Sequence, residues 1–391
     1  MKYDTEFFEW VEAHKDDDTA RLRLKYGRER ADEILQIECR RKYGAKLGDV
    51  LSERPMFVFA TALSGEQSTS WRLAQFHAAM VAPGSHVADL TAGLGIDAYA
   101  MSRHARVTAI ERDPAVAGAL RHNYADVASM TVIEADCRDF VRECIDKGET
   151  FDAVFIDPAR RDAGGGRVFA LDGCEPDVTA MMPDLLRMAR KVIVKASPML
   201  DITHTLGELP QAVTVIALGT TTECKELDIV CLTDVTPVTI QAVTLGSDFE
   251  AAFSFSPADE TMAGAKYAIP VAGDYVFDPY PAVMKSGAMR LLGQRYGLAK
   301  LAANTHLWTG KEAVDDFPGH RFVVEEVLPY ASKHIKRYAS RYPRVSLTTR
   351  NFDVAAPALK SKLGVVDGSD VRLFAVTAQD GSKLLVTCRP D

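Results

Sequence analysis

Residues 86–97 read His86-Val-Ala-Asp-Leu-Thr-Ala-Gly-Leu-Gly-Ile-Asp97, or HVADLTAGLGID. The apolar residues Val87, Ala88 and Leu90 lead into a Gly-x-Gly turn at Gly93 and Gly95, and a helix-forming run, Ala98-Tyr-Ala-Met101, follows at once. The pattern predicts a strand, a glycine turn and a helix start. Residues without a Cβ let backbone N–H groups approach a ligand closely, and the following helix N-terminus favours electronegative groups. On spacing alone, Gly93-x-Gly95-x-x-Ala98 also fits the dinucleotide fingerprint in which alanine replaces the third glycine.

The acids around this turn narrow the reading. Asp89 lies inside the first strand, where a carboxylate is expensive to bury unless a cation or hydrogen-bond donor meets it. A second predicted strand, Arg106–Glu111, ends in an acid placed to accept hydrogen bonds from ribose hydroxyls. A third, Met130–Asp136, ends in Asp136, which could accept from an adenine amino group. A fourth, Phe151–Asp157, runs into Asp157-Pro158-Ala159-Arg160, where proline stops the strand. Four successive strands thus end in carboxylates, and in a parallel sheet those ends share one rim.

Asp89-x-x-x-Gly93-x-Gly95, Glu111, Asp136 and Asp157-Pro158 resemble the motif series of class I S-adenosylmethionine-dependent methyltransferases, over roughly residues 65–235. The resemblance implies that Asp89 and the turn at Gly93 and Gly95 hold the methionine end, Glu111 the ribose and Asp136 the adenine, with Thr91, Asp97, Arg112 and Cys137 also cofactor-binding. It also implies that Asp157, Pro158 and Arg160 face the acceptor. Gln67, Ser68 and Ser70, in the polar segment 64–70, are candidate donors from a loop that can close over the cofactor in that family. The alternative for this segment is a helix N-cap, where serine and threonine are preferred. Asp157-Pro-Ala-Arg-Arg161 together with Lys195-Ala-Ser-Pro-Met-Leu-Asp201 further resembles a bacterial group of methyltransferases carrying a THUMP-like domain, a module found elsewhere in RNA-modifying enzymes.

Composition sets bounds on this reading. The 391 residues are enough for two or three domains, with 47% hydrophobic residues to build their cores. The opening MKYDTEFFEW lacks the basic and apolar regions of a leader, and no apolar run reaches the ~18 residues of a membrane span, so a cytoplasmic location is expected. Seven scattered cysteines without a CxxC pair imply buried thiols rather than a disulfide framework. Nine histidines form no metal-binding signature, so no metal is expected. Net charge is −8, but residues 281–391 carry 17 Lys and Arg against 10 Asp and Glu. That asymmetry points to a polyanionic partner.

In chain order, residues 1–78 are expected to form a helical region and residues 79–272 the methyltransferase domain. Residues 273–318 would form a ferredoxin-like linker domain, and residues 319–391 a THUMP-like domain. Helix-length segments between the first four strands indicate βαβ units and a mostly parallel sheet, an α/β Rossmann-like fold. Strand Lys191–Lys195 is followed by Ala212–Leu218 and Glu226–Leu232, which the polar segment 219–225 joins as a hairpin. An antiparallel terminal hairpin fits a methyltransferase and not a nicotinamide-binding fold. Beyond it come a second hairpin (Val238–Leu245, Glu250–Phe255), a helix over Ala282–Tyr296, a strand over Leu301–Trp308, and the α/β order of the last domain. The loop Gly164-Gly-Gly166 reads as a turn.

Methyl transfer from a sulfonium is an in-line displacement in which positioning supplies much of the acceleration. Asp157 is the first candidate for contact with the acceptor, and Arg160 and Arg161 could hold an RNA phosphate. Ala159 and Arg160 stand where amino-methylating enzymes carry proline and an aromatic. No cysteine stands at Ser197-Pro198, where RNA uracil-C5 enzymes need one. A second candidate site is Tyr330–Phe352, which contains Lys333, Lys336, Arg337, Arg341, Arg344 and Arg350, interleaved with Tyr330, Tyr338, Tyr342 and Phe352, and no acid. Phosphate neutralisation with aromatic faces is what RNA binding uses, although aromatics at helical spacing also suit a core. The expected protein is therefore an S-adenosylmethionine-dependent methyltransferase acting on a base of tRNA or rRNA, with no membrane partner. The residues leave open a protein or small-molecule acceptor, a non-catalytic cofactor-binding RNA-binding protein, and a nicotinamide oxidoreductase.

Overall fold

The N-terminal segment folds as short helices because its apolar residues recur at helical spacing between charges. α1 (Thr5–Ala13) and α2 (Thr19–Tyr26) are each capped by an aspartate that accepts from first-turn N–H groups, Asp4 and Asp18. With α3 (Ala31–Leu47) they bury Phe7, Val11, Leu22, Ile34 and Ile37 against one another. The basic residues between them are partly satisfied locally, with Arg23 on Glu38 and Arg30 on Glu33. Three further helices follow: α4 (Asp49–Glu53), α5 (Ala62–Gln67) and α6 (Trp71–Ala79). The computed structural model describes residues 3–160, 171–234 and 236–391, so the Gly164–Gly166 turn and Arg161 lie outside the described residues.

The chain divides into two compact units, Met1–Val213 with Ile229–Val235, and Thr214–Asp228 with Thr236–Asp391. In the first, strands and helices alternate as expected: β1 (His86–Asp89), α7 (Ile96–Ser102), β2 (Arg106–Glu111), α8 (Pro114–Asn123), β3 (Met130–Glu134), α9 (Cys137–Lys147) and β4 (Phe151–Ile156). A two-residue pair, β5 (Ala159–Arg160) and β6 (Cys174–Glu175), precedes α10 (Val178–Met188) and β7 (Ala189–Ala196), then α11 (Ile202–Glu208). The helices begin where the sequence supplies caps. Asp113 with Pro114 starts α8, Asp136 starts α9 and Asp177 starts α10.

β8 (Ala212–Gly219), β9 (Cys224–Leu232), β10 (Thr239–Leu245) and β11 (Glu250–Phe255) complete a nine-stranded sheet in the order β11-β10-β8-β9-β7-β4-β1-β2-β3. The pairs β3–β2, β2–β1, β1–β4 and β4–β7 are all parallel, so their C-terminal ends do share one rim. The last strand pair enters out of order, with β9 lying between β7 and β8, and Thr220 N donates to Glu223 O (2.8 Å) in the turn that joins β8 to β9. β10 then pairs parallel to β8 and antiparallel to β11.

The second unit continues through α12 (Pro257–Met262), β12 (Tyr275–Pro279), α13 (Pro281–Ser286), α14 (Leu291–Tyr296), β13 (Ala299–Ala302) and β14 (Thr305–Gly310). After these come β15 (Gly319–Pro329), α15 (Ser332–Arg341), β16 (Arg344–Arg350), α16 (Ala356–Leu363), β17 (Val366–Thr377) and β18 (Lys383–Pro390). Its seven strands run β13-β14-β12-β15-β18-β17-β16, antiparallel apart from β16–β17. α15 and α16 cover Val345, Leu373, Ala375 and Leu385 with Ile335, Tyr338, Leu359 and Leu363.

Three sequence expectations need correction. The single helix over residues 282–296 is two helices, because Gly287 takes φ +85° and ends α13. The strand over residues 301–308 is a hairpin, β13 with β14. The segment 64–70 is not all loop: Thr61 and Ser64 form a reciprocal capping box that starts α5 upstream of it. Among the described residues no helix is long and apolar enough to cross a membrane.

Candidate cofactor and acceptor site

The glycine turn is held by the strands on either side of it. Leu90 N donates to Phe155 O (2.9 Å) on β4, and Ala92 N to Ile110 O (2.9 Å) on β2. Gly93 N donates to Glu111 Oε2 (2.9 Å), while Glu111 Oε1 accepts from Asp113 N (2.8 Å). Thr91 Oγ1 accepts from Asp157 N (2.7 Å), which ties the turn to the end of β4. Gly95 has φ +80°, and a Cβ there would sit 2.2 Å from Leu120 Cδ1 and 2.7 Å from Tyr124 Cε2. Gly93, at φ +55°, faces open space, with nothing within 4 Å of a notional Cβ. One glycine is needed for packing and the other leaves room for a ligand.

Behind the turn runs a buried polar chain. His77, fully buried on α6, meets Asp97 Oδ1 through Nδ1 (2.7 Å), and Thr69 Oγ1 donates to Asp97 Oδ2. Lys195, 8% exposed near the end of β7, reaches Thr69 Oγ1 (3.0 Å) and forms an ion pair with Asp157 Oδ2. Asp157 is the partly exposed end of this chain, its side chain 38% accessible. Burial, with the negative charges of Asp97 and Asp157 nearby, pushes Asp89 well above the usual carboxylate range. Asp97 is equally enclosed, but His77, Lys195 and Thr69 outweigh its burial and hold it below the ordinary value. The rim therefore carries several carboxylates, one of them held toward its neutral form.

Among the described residues, those picked out from the sequence take the following places. Asp136 caps α9 and is gripped by Arg138 (Nε–Oδ1 2.9 Å, Nη2–Oδ2 2.6 Å), whose hydrogen bonds pull it down to about 2. Arg138 also reaches Glu175 Oε1 (2.9 Å), which lies 3.9 Å from Arg112. Cys137 is buried, and desolvation pushes its thiol up to about 11. Pro158 is buried and Ala159 exposed, and the backbone of Arg160 pairs with Cys174. Gln67 is exposed at the end of α5, while Ser68 Oγ turns back onto Gly65 O (2.8 Å). Thr69, His77 and Lys195 were absent from the sequence-derived site. Lys195 left a signal, as the one cation in the apolar run Val192–Ala196.

The basic stretch of the second unit separates into three groups. Lys333, Lys336 and Arg337 are exposed on α15, and Arg344 is exposed at the start of β16. None of these four has a carboxylate within ion-pairing distance among the described residues, whereas Arg341 pairs with Glu326 (2.7 Å). Arg350 is turned inward to buried Asp278 (3.1 Å), which also faces Arg372 (3.7 Å), so it serves the fold rather than an exposed basic face. The aromatic rings are packed rather than open for stacking. Tyr338 and Tyr342 are buried in the core, and Tyr330 packs edge-on against Phe352 (5.0 Å).

A sheet in which β9 lies between β7 and β8, a glycine turn open at Gly93, and acids at successive strand ends define a class I methyltransferase fold. Over nearly its whole length the chain is similar to S-adenosylmethionine-dependent methyltransferases, and its C-terminal part to a THUMP-like domain. Family profiles match residues 69–163 ("conserved hypothetical protein 95"), 275–318 (ferredoxin-like domain) and 319–390 (THUMP domain-like). Proteins of two Mycobacterium tuberculosis strains, CDC 1551 and H37Rv, both named S-adenosylmethionine-dependent methyltransferases, are 26% identical over 382 residues. The match spans 94% of this chain and 99% of theirs. A crystal structure of a Porphyromonas gingivalis W83 protein described as a methyltransferase superposes with a TM-score of 0.89 at 28% identity, over 98% of this chain and 97% of that one.

Proposed function

We propose that this chain transfers the methyl group of S-adenosylmethionine to a base in tRNA or rRNA, with the second unit gripping the RNA. The observation that carries the RNA half of the reading is the acid-free stretch Tyr330–Phe352. Its four exposed cations, Lys333, Lys336, Arg337 and Arg344, have no carboxylate neighbour to neutralise them among the described residues. Cations left unpaired in this way are the electrostatic footprint of a polyanion.

The residues around the turn suit a ligand that combines positive charge with ribose hydroxyls. Asp89, held toward neutrality by burial, would regain its charge beside a cation, and Glu111 stands at the end of β2 to accept from hydroxyls. Open Gly93 and the Thr91 link to Asp157 would place the methionine end of the cofactor next to the acceptor side. The bound cofactor supplies the activated methyl group. The chain's share is position, which for well-oriented reactants accounts for roughly 7–11 kcal/mol of a barrier. Asp157, its charge compensated by Lys195 and its side chain open at the rim, is suited to orienting the acceptor through a hydrogen bond.

The test is transfer of a labelled methyl group from S-adenosylmethionine to total RNA, DNA and protein from a strain lacking the gene. Label in RNA is expected, and label confined to protein or DNA would overturn the RNA reading. Asp157→Ala should abolish transfer while leaving S-adenosylhomocysteine affinity within about threefold. A fully active variant would remove Asp157 from its role.

A further inference from the structure

A cavity of about 270 Å³ opens in the second unit where α15 ends and β16 begins. Its lining combines the cations Arg341, Arg344 and Arg389 with the acids Glu325 and Asp370, beside Tyr342. The charges do not simply cancel. Arg341 is drawn to Glu326 (2.7 Å) and Arg389 to Glu325 Oε1 (2.5 Å), while Arg344 has no acidic partner among the described residues. Two polar groups on the lining residues are orphaned. Tyr342 is 5% exposed, with its ring packed 5.3 Å from that of Tyr338, and its hydroxyl has no hydrogen-bond partner; nor has Glu325 Oε2. A buried donor and a buried acceptor left unmade are expensive in a native fold, and their presence beside one cavity points to something that completes them.

The mixed lining narrows the chemistry. A bare phosphate would meet Arg344 but also Glu325 and Asp370, and an apolar ligand would leave every one of these groups unanswered. A ribonucleotide offers both parts: a phosphate for a guanidinium and hydroxyls for carboxylates. Its 2′-hydroxyl is donor and acceptor at once, which is what an orphan tyrosine hydroxyl and an orphan carboxylate oxygen require together. The volume is just below the ~300–1,000 Å³ of pockets that take drug-sized ligands, the scale of one sugar-phosphate unit.

We propose that this cavity is a ribonucleotide subsite, in which Arg344 takes the phosphate of an RNA strand while Tyr342, Glu325 and Asp370 read the ribose hydroxyls. The subsite rests on the RNA reading given above and deepens it, because it makes the second unit prefer RNA over DNA of the same sequence. The exposed lysines of α15 would bind either strand. The cavity supplies the discrimination.

The experiment is fluorescence anisotropy of the full chain with a labelled single strand of about 12 nucleotides, as RNA and as DNA, with unlabelled AMP as a third ligand. RNA should bind about three- to tenfold more tightly than DNA, the size of one or two net hydrogen bonds. Tyr342→Phe keeps the packed ring and deletes only an unsatisfied hydroxyl, so it should fold at least as well as the parent. It should lower RNA affinity toward that of DNA and leave DNA binding unchanged. Arg344→Gln should weaken both strands and reduce the slope of log affinity against log salt by about 0.7. A Tyr342→Phe variant that retains the parent's RNA-to-DNA ratio would overturn the subsite while leaving the RNA reading intact. Parent protein that binds neither strand would overturn the RNA reading. AMP binding that survives there, and is lost in Arg344→Gln, would reassign the cavity to free ribonucleotides.

Discussion

Replacing Lys195 by methionine keeps a side chain of similar length in β7 and deletes one charge. Lys195 is 8% exposed, and the ammonium that the substitution removes pairs with Asp157 and hydrogen-bonds Thr69, which in turn holds Asp97. Removing one partner of a fully buried ion pair costs about 3–5 kcal/mol, because the other charge is left uncompensated. Here the Asp157 side chain is 38% accessible, so water recovers part of that cost and the loss should be about 2–3 kcal/mol. For a unit of this size that lowers the thermal midpoint by roughly 5–10 °C. The check is a double-mutant cycle by thermal and urea unfolding. Lys195→Met/Asp157→Asn should recover to within about 1 kcal/mol of the parent, since an ion pair replaced by neutral groups is nearly neutral. A double variant no more stable than the single one, or a single variant losing less than about 1 kcal/mol, would refute the idea that the pair is coupled.

Asp89→Asn should raise the thermal midpoint at pH 7, worth about 0.5–2 kcal/mol, while destroying cofactor affinity. The sign follows from its elevated titration: wild-type stability declines as pH climbs from the unfolded value of 3.8 through the higher folded one. The advantage of the asparagine variant should therefore vanish as the pH falls toward 3.8, and a gain independent of pH would contradict the argument. Asp136, pulled to about 2 by Arg138, works the other way, so its contribution is present above pH 3.8 and disappears as the pH drops toward 2. Gly95→Ala should cost about 1–3 kcal/mol, since the new methyl meets Leu120 and the backbone stays at positive φ, and calorimetry would register it. Changing Lys333, Lys336 and Arg337 together to glutamine should flatten the salt dependence of RNA binding by about 2 and leave the melting point alone. Arg350→Gln should instead lower the melting point, because it abandons buried Asp278.

What could be read from the chain followed the range of the interactions. The β1 turn, the acids at successive strand ends and the caps at Asp113 and Asp136 are local, each visible within a few residues. The polar chain through Lys195, Thr69, Asp97 and His77 joins positions 126 and 28 residues apart, and nothing in one sequence announces such pairings in advance. Lys195 could have been flagged as a cation in an apolar strand, but its partner could not. The aromatics in and just after α15 are a case that spacing alone leaves open. Tyr338 and Tyr342 sit at helical spacing beside cations and suggest stacking surfaces, yet their rings complete a core that a helix over a sheet must fill. The end of α13 at Gly287, which rests on a positive φ, is hidden in the sequence by helix-forming residues on either side of it.

The glycine turn also determines how ligands can be found. Its backbone is hydrogen-bonded to β2 and β4, Gly95 is wedged against Leu120 and Tyr124, and Thr91 is tied to Asp157, so the loop cannot loosen without disturbing the sheet. Occupancy of this turn and cohesion of the first unit are then one equilibrium. Any compound that seats there should register as added heat resistance, about 2.7 kcal/mol at a hundred times its dissociation constant. A melting-temperature screen of nucleoside analogues would sort them by affinity before any acceptor has been identified.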